Sequence, residues 1–145
     1  MYLGKTPDEV FPSAKTHDRM IRVKVSSGEI LRIFVYFRPH VIWFLINISK
    51  YYDIAIFTGT TENYAAQIIN LLDPGRKIIQ GAFYRENCVK CDIHYLIKDL
   101  KIFKERDLKD IVIVDNSATC FMNNLDNGVP IIPFFDNQED TQLLD

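Results

Sequence analysis

Three short polar stretches of the chain contain the residue types that phosphate chemistry requires. Thr58-Gly59-Thr60-Thr61 offers hydroxyls and exposed amides that can hold phosphate oxygens. Asp115-Asn116-Ser117 offers a carboxylate and an amide oxygen, which are ligands that suit Mg²⁺, and Lys98 offers a point charge for a phosphoryl group. Taken singly, Thr58 is better explained as a helix cap, Asp115 as a loop acid and Lys98 as a surface lysine. Only their combination and order favour a phosphate site.

Two of these stretches follow short apolar runs that are typical of buried parallel strands. Ile54-Ala55-Ile56-Phe57 precedes Thr58, and Ile111-Val112-Ile113-Val114 precedes Asp115. In a doubly wound sheet, functional groups gather at the carboxyl ends of the strands. We therefore expect Thr58 and Asp115 to lie at the same edge of one sheet.

The rest of the chain supplies the other elements of an α/β fold. Alternating residues predict a β-hairpin over residues 20–37, and apolar residues at helical spacing predict helices from Val41 to Tyr52 and from the N-cap Thr61 to Leu72. Further predicted elements are short strands at Ile78-Ile79 and Pro130-Ile131-Ile132, an irregular insert or hairpin at 81–97, and the start of a closing helix at 141–144. Strands alternating with helices predict a parallel sheet with helices on both faces. Residues 1–19 read as an amino-terminal arm, and residues 20–145 as one domain, truncated at both ends.

Bulk properties narrow the function further. A net charge of −2 argues against a nucleic-acid binder, and no apolar run approaches the ~20 residues of a membrane span. Three cysteines favour a reducing, intracellular compartment, while Cys88-Val89-Lys90-Cys91 alone is a weak metal or redox signal. Residues 1–50 carry eight Lys or Arg against four Asp or Glu, which suits a solvated face or an acidic or phosphorylated partner.

The full set of motifs resembles the small C-terminal-domain phosphatases, also called NLI-interacting-factor-like phosphatases, of the haloacid dehalogenase superfamily. The resemblance covers about residues 20–143, and its stretches run in family order. They are Arg38-Pro39-His40, Phe57-Thr58-Gly59-Thr60, Tyr64, Leu71-Leu72-Asp73-Pro74, Tyr84-Arg85-Glu86-Asn87-Cys88, Lys98-Asp99-Leu100, Val114-Asp115-Asn116-Ser117 and Asp126-Asn127-Gly128-Val129-Pro130.

The resemblance assigns roles to these residues. It implies that Thr58 is a phosphate-binding hydroxyl and that Lys98 neutralises phosphate and nucleophile. It implies that Asp115 and Asn116 are Mg²⁺ ligands, with Asn116 binding either directly or through a water molecule. The residues that it places at the substrate rim are Tyr64 and Arg85.

One motif of the family has no counterpart in the sequence. Its members attack phosphoserine or phosphothreonine with the first aspartate of D-x-D-x-T, and the second aspartate is the acid-base group. That motif lies on a first strand just before the region equivalent to Phe11–Lys15, and no D-x-D occurs in these 145 residues. Covalent transfer should fail without the nucleophile, and Asp115 with Asn116 alone should hold Mg²⁺ weakly or not at all.

The missing strand would lie at the centre of the sheet, between the strands that end at Thr58 and Asp115. We therefore expect a catalytically inactive phosphatase-like domain that acts as a binding module or as a subunit of a larger assembly, with a protein partner filling the sheet. The alternative is a Mg²⁺-dependent protein serine/threonine phosphatase, acting on a phosphoprotein, of which this sequence is a fragment. The compartment stays open between nucleus, cytoplasm and a mitochondrial assembly. A flavodoxin-like or nucleotide-binding domain is disfavoured, since no glycine-rich phosphate loop occurs.

Overall fold

The computed structural model describes residues 18–25, 27–92 and 95–144, so most of the predicted arm of residues 1–19 lies outside the described residues. The strands and α-helices are, in chain order, β1 (Arg19–Lys24), β2 (Ile30–Val35), α1 (Val41–Ile48), β3 (Ile54–Phe57), α2 (Glu62–Leu72), β4 (Ile79–Phe83), β5 (Val89–Asp92), β6 (Tyr95–Ile97), β7 (Ile113–Asp115) and β8 (Gly128–Pro130). Short 3₁₀ segments lie at Arg85–Asn87, Leu100–Ile102, Leu108–Asp110 and Ala118–Asn127. Within the described ranges, no helix is long and apolar enough to cross a membrane.

The predicted hairpin of residues 20–37 is confirmed as the antiparallel pair β1/β2. Its register runs from Arg19 opposite Val35 to Lys24 opposite Ile30. Because side chains alternate across a strand, one face is apolar and buried, and α2 packs against it. That cluster contains Ile21, Val23, Ile33 and Val35, with Tyr64, Ile68 and Leu71 of α2 packed on it.

The predicted parallel strands are also present, as two separate pairs. β3 pairs with β4 from Ile54 to Phe57, and β7 pairs with β8 from Ile113 to Asp115. Among the described residues, β3 pairs with β4 alone and β7 pairs with β8 alone. Each of these two strands therefore has a second edge without a ladder partner. The position expected for the first strand, between β3 and β7, is therefore open in this part of the chain.

Several predicted boundaries were wrong. The apolar triplet Pro130-Ile131-Ile132 is not a strand, since β8 is Gly128–Pro130 and starts at the predicted turn. β7 ends at Asp115 rather than before it, because β8 still pairs there and the Ile131 amide donates to the Asp115 carbonyl at 3.1 Å. Residues 81–83 belong to β4, since β3 pairs with them, and among the described residues of the insert, β5 and β6 form the hairpin. Residues 142–144 form turns rather than the start of a helix, and α1 ends at Ile48, short of Tyr52.

Helices α1 and α2 help to bury one face of the β3/β4 pair. Leu45 of α1 and Ile69 of α2 join Ile54 and Ile79 in one buried cluster. On the other side, the Phe83 ring lies 5.6 Å from the Phe57 ring and 4.8 Å from the Phe103 ring, between centroids. This aromatic row connects β3 and β4 to the chain that follows β6.

Arg38 fastens the carboxyl-terminal segment to the start of α1. Its guanidinium makes two hydrogen bonds to the Asp140 carboxylate, at 2.7 and 2.8 Å, and a third to the Ile132 carbonyl at 2.8 Å. Bidentate pairs of this kind are among the stronger charge-assisted contacts. The Arg38 side chain and its partner are both largely buried, so the contact holds together segments that are 102 residues apart.

Gly128 provides a test of the packing at β8. A Cβ atom at this position would overlap the ring of Phe121, which is buried. We expect Gly128→Ala to lower the free energy of unfolding by about 2 kcal/mol, because overpacking a core typically costs ~1–3 kcal/mol. Gly81→Ala is the matched control, since its Cβ would meet Ala55 at an ordinary 3.4 Å. Urea unfolding of both variants measures the difference. An equal loss of unfolding free energy in the two variants would contradict the close contact between Gly128 and Phe121.

Asp73 closes the carboxyl end of α2. Its buried carboxylate accepts hydrogen bonds from the amides of Lys77, Ile78 and Ile79 at 3.1, 2.8 and 2.7 Å. These bonds, first of all the one from Ile79, lower the pKa of Asp73 below its ordinary value, and burial opposes them. The carboxylate thereby fixes the turn that leads from α2 into β4.

A lowered pKa makes the contribution of Asp73 to stability depend on pH. The contribution is complete above the ordinary carboxyl pKa of about 3.9 and is lost as pH falls through the lower folded-state value. In Asp73→Asn, an NH₂ group replaces one acceptor oxygen, so we expect a lower urea midpoint at pH 7 and a smaller difference from the unaltered chain below about pH 4. Asp136→Asn, at an exposed position, is the control. A difference that stays constant with pH would show that the charge of Asp73 is unimportant.

Candidate functional site

The loop after β3 is shaped by the hydroxyl of Thr58. The Thr58 amide donates to the Phe83 carbonyl at 2.9 Å, which continues the β3/β4 pairing. The Thr60 amide donates to the Thr58 hydroxyl at 3.2 Å, and the two threonine hydroxyls lie 3.0 Å apart. Thr61 is the N-cap of α2, as predicted, although its side chain makes no capping hydrogen bond. Hydroxyl and amide donors are thus gathered in one turn at the carboxyl end of β3.

The two residues predicted at the substrate rim occupy different environments. Arg85 is exposed and borders the loop, where its Nε donates to the Gly59 carbonyl at 2.8 Å and its amide to the Thr60 carbonyl at 2.9 Å. Tyr64 is half-buried, and its ring packs on the apolar face of the β1/β2 hairpin. Burial raises the pKa of its phenol. Arg85 therefore lies at the loop, whereas Tyr64 also contributes to the hairpin core.

Lys98 and Asp115 form a salt bridge at the end of β7. The Lys98 ammonium contacts one oxygen of Asp115, and the two side chains are only 14% and 7% exposed. The other carboxylate oxygen accepts the Ser117 amide at 2.9 Å. The main-chain amide of Lys98 donates to the Cys120 carbonyl at 2.6 Å, so backbone and side chain both hold this lysine against the segment after β7.

The β5/β6 hairpin connects this pair to the Thr58 loop. Val89 is paired with Ile97, so Cys88 and Lys98 flank the open end of the hairpin. The Cys88 thiol lies 3.8 Å from the Thr58 carbonyl and 3.7 Å from the Tyr84 carbonyl. At this end of the hairpin, Cys88 thus contacts the Thr58 loop on one strand, and Lys98 follows the other strand and pairs with Asp115.

Sequence analysis had treated Cys88 as half of a weak C-x-x-C pair and as the end of one family motif, without giving it a role at the site. Burial raises the pKa of its thiol, and the nearby charge of Lys98 acts in the opposite direction. Cys91 is exposed, and both thiols are free. Cys88 lies at the site because the β5/β6 register puts it at the same end of the hairpin as Lys98. The spacing of the cysteines alone does not predict this position.

The residues predicted to bind Mg²⁺ do not form a complete site. Both oxygens of Asp115 are engaged, one by Lys98 and one by the Ser117 amide, while Asn116 is exposed beside it. Mg²⁺ favours near-octahedral oxygen coordination. No group of three His, Cys, Asp or Glu that could hold a metal occurs in the described part of the chain. As arranged, Asp115 and Asn116 do not fit a tight Mg²⁺ site without further oxygen ligands.

The buried pair predicts a specific pattern of stability changes. In Lys98→Met, Asp115 stays buried without its counter-charge, and we expect a loss of about 3 kcal/mol. The double variant Lys98→Met/Asp115→Asn removes both charges, so we expect it to lose less than the sum of the two single variants. Chemical denaturation of the four proteins gives the coupling free energy. Strictly additive losses would show that the two charges do not interact.

Comparisons with known proteins agree with the resemblance predicted from the motifs. A family model described as NLI interacting factor-like phosphatase matches residues 8–145. The chain is 41% identical over 113 residues to CTD small phosphatase-like protein 2 of Dictyostelium discoideum, covering 78% of this chain and 19% of that protein. It is 35% identical over 127 residues to CTD nuclear envelope phosphatase 1 of Xenopus tropicalis, covering 88% of this chain and 51% of that protein. The chain thus spans about half the length, or less, of these relatives.

Solved structures confirm the fold. The RNA polymerase II CTD phosphatase Fcp1 of fission yeast, bound to beryllium fluoride, superposes with a TM-score of 0.71 at 22% identity, over 90% of this chain and 34% of that chain. A second structure of Fcp1, described as an essential RNA polymerase II CTD phosphatase, gives 0.72 over 89% of this chain. The chain therefore shares the haloacid dehalogenase fold of these structures.

Proposed function

Since the chain belongs to the NLI interacting factor-like phosphatase family, we propose that residues 1–145 form a phosphatase-like domain that binds a phosphate monoester without hydrolysing it. The observation that carries the proposal is the arrangement at the open end of the β5/β6 hairpin, where the Cys88 thiol contacts the Thr58 carbonyl and Lys98 pairs with Asp115. It gathers hydroxyl, amide and ammonium donors at the ends of β3 and β7, which is where α/β sheets bind ligands.

Each donor has a defined task in this proposal. The Thr58 hydroxyl and the loop amides bind phosphate oxygens, and the Lys98 ammonium supplies positive charge. An ammonium has three donor hydrogens, so the bond to Asp115 leaves others to point at phosphate. Arg85, exposed at the rim and anchored to the Gly59 carbonyl, receives the phosphorylated chain. Tyr64 follows the loop in the first turn of α2, and in this proposal it borders the bound chain while its ring packs on the hairpin core.

Phosphoryl transfer needs a nucleophile that these 145 residues do not provide in the family's form. The sequence contains no D-x-D. Lys98 is paired with a carboxylate, and the Thr58 hydroxyl accepts a hydrogen bond from a main-chain amide, so neither is an activated nucleophile. Without that motif, Mg²⁺ also lacks a carboxylate beyond Asp115. Binding, rather than turnover, is the activity that the residues support, and the domain acts as a binding module or as a subunit of a larger assembly.

A protein partner completes the sheet in this proposal. β3 and β7 each have an edge without a ladder partner among the described residues, and exposed edges of this kind accept an added strand. A strand placed between them would satisfy both rows of main-chain donors and acceptors. Strand addition is therefore the mode of assembly that we propose.

A second candidate is a Mg²⁺-dependent protein serine/threonine phosphatase, of which these residues are a part. It is favoured by the matched relatives, which are named phosphatases and are about twice as long or longer. An added strand with D-x-D-x-T would bring a nucleophile and carboxylates towards Lys98 and Asp115. The nuclear envelope phosphatase among the relatives favours a nuclear setting for such an enzyme.

One experiment separates the two functions. Residues 1–145 should not hydrolyse p-nitrophenyl phosphate in Mg²⁺ above a blank, yet inorganic phosphate should shift the NMR amide signals of Thr60 and Lys98. Lys98→Ala should abolish those shifts, because it removes the charge that attracts the anion. Lys104→Ala, at an exposed position, is the control and should leave them unchanged.

The second arm adds a synthetic strand peptide with D-x-D-x-T between apolar residues. Hydrolysis that appears only with this peptide, and not when its first aspartate is replaced by asparagine, assigns the catalytic function to the completed sheet. Hydrolysis by residues 1–145 alone that Asp115→Ala abolishes would overturn the binding-only proposal. Absence of any phosphate-induced shift would overturn the site itself.

A further inference from the structure

The outer face of the β1/β2 hairpin concentrates positive charge away from the Lys98 site. The register places Arg22 directly opposite Arg32, and Lys24 lies two residues further along the same face. All three side chains are exposed. We call these residues the arginine face; the opposite face of the hairpin is the apolar one that packs on α2.

These charges have no internal partner in the described residues. No carboxylate of the described ranges lies within ion-pair distance of Arg22, Arg32 or Lys24. The two acids of the hairpin are engaged elsewhere, since Asp18 accepts the Phe37 amide and Glu29 accepts the Ser27 hydroxyl. Like charges directly opposite each other destabilise a β-ladder. The fold of the described residues thus gives no structural reason for two facing arginines.

The spacing of the arginine face suits a phosphate group. Side chains that are directly opposite in an antiparallel pair have Cβ atoms about 5 Å apart, so two guanidinium groups can converge on one tetrahedral dianion. Arginine favours phosphate because its planar donors match two oxygens at once. Met20 and Ile30 are 40% and 65% exposed on the same face. Apolar side chains beside the charges favour a phosphorylated polypeptide over free phosphate.

The hairpin also lies beside the Thr58 loop. The Asn63 and Gln67 side chains of α2 donate to the carbonyls of Lys24 and Arg22, at 2.8 and 2.9 Å. Asn63 is in the first turn of α2, directly after the loop. The helix that begins directly after the loop is thus hydrogen-bonded to the strand that carries Arg22 and Lys24.

We propose that the arginine face is a second phosphate-binding site, which receives another phosphorylated residue of the same polypeptide whose first phosphate binds at Thr58 and Lys98. The proposal rests on the proposed function for the first phosphate. It adds a preference for multiply phosphorylated segments, because two linked sites raise the apparent affinity without new contacts at either one.

The test measures fluorescence anisotropy of a fluorescein-labelled peptide with two phosphoserines, in EDTA and low salt. Arg22→Gln/Arg32→Gln should weaken binding by about tenfold or more, since two charge-assisted contacts are lost. Arg22→Lys/Arg32→Lys keeps the positive charges but loses the planar donor geometry of arginine. Its affinity for the peptide should lie between those of the unaltered chain and the glutamine variant. The matched control Lys101→Gln/Lys104→Gln removes two exposed charges elsewhere and should bind normally.

Further arms distinguish this site from the first one. In a Lys98→Ala background, the arginine substitutions should still weaken binding of the peptide. If Lys98→Ala weakens binding but the arginine substitutions do not, the proposed function stands and the second site is wrong. If the Lys101→Gln/Lys104→Gln control loses as much affinity as the arginine variant, the effect comes from net charge alone and the second site is wrong. A peptide with glutamate at both phosphoserines that binds equally well would overturn the phosphate preference. Arginine-dependent binding to phosphatidylserine vesicles, without binding of the phosphopeptide, would assign the face to a membrane instead.

Discussion

The salt bridge between Lys98 and Asp115 joins parts of the chain that share no β-ladder in the described residues. Asp115 ends the β7/β8 pair, and Lys98 follows the β5/β6 hairpin, whose other end contacts the Thr58 loop. Other contacts join the same parts: the Lys98 amide donates to the Cys120 carbonyl, Leu100 packs with Ile113 and Phe121, and the Phe83 ring contacts those of Phe57 and Phe103. The salt bridge differs from these contacts because it places the two charged side chains of the proposed phosphate site against each other.

The open edges of β3 and β7 also affect the stability of this arrangement. Main-chain groups without partners cost about 1–3 kcal/mol each when they are buried, so whatever covers these edges contributes directly to folding. An added strand would stabilise the domain by mass action and would place new side chains beside Lys98 and Asp115 in the same event. In the proposed assembly, a partner that supplied the strand would therefore influence both folding and chemistry.

The sequence was sufficient to predict the positions of Thr58 and Asp115 at strand ends, because each polar stretch follows an apolar run and parallel strands align their carboxyl ends. It was also sufficient for the hairpin of residues 20–37, where alternation is regular. It was insufficient for β8, because Pro130-Ile131-Ile132 is more apolar than the true strand, which starts at a glycine packed under Phe121. Periodicity reports local burial and contains no information about which distant strand will pair.

The same limitation explains the site residues that were missed or only partly understood. Cys88 reaches the site through the β5/β6 register, and the Ser117 amide reaches Asp115 through the turn after β7. Neither contact follows from residue type. The engagement of both Asp115 oxygens, which weakens the case for Mg²⁺, is likewise a property of the folded arrangement. The family motifs identify which residues are present at the site, but they do not predict which hydrogen bonds and ion pairs those residues make within the chain.

The two proposed anion sites differ in their electrostatics, and the difference bears on how the domain would select a phosphorylated partner. Lys98 is largely buried and is already neutralised in part by Asp115, so its pull on a phosphate is short-ranged and weakly affected by salt. Arg22 and Arg32 are exposed and uncompensated within the described residues, so their attraction acts over about 10 Å at moderate ionic strength and weakens as salt rises. The hairpin is thus suited to the first encounter with a phosphorylated chain, and the Lys98 site to the selection of one phosphate within it. A division of this kind lets a domain with a nearly neutral total charge recognise a highly charged partner.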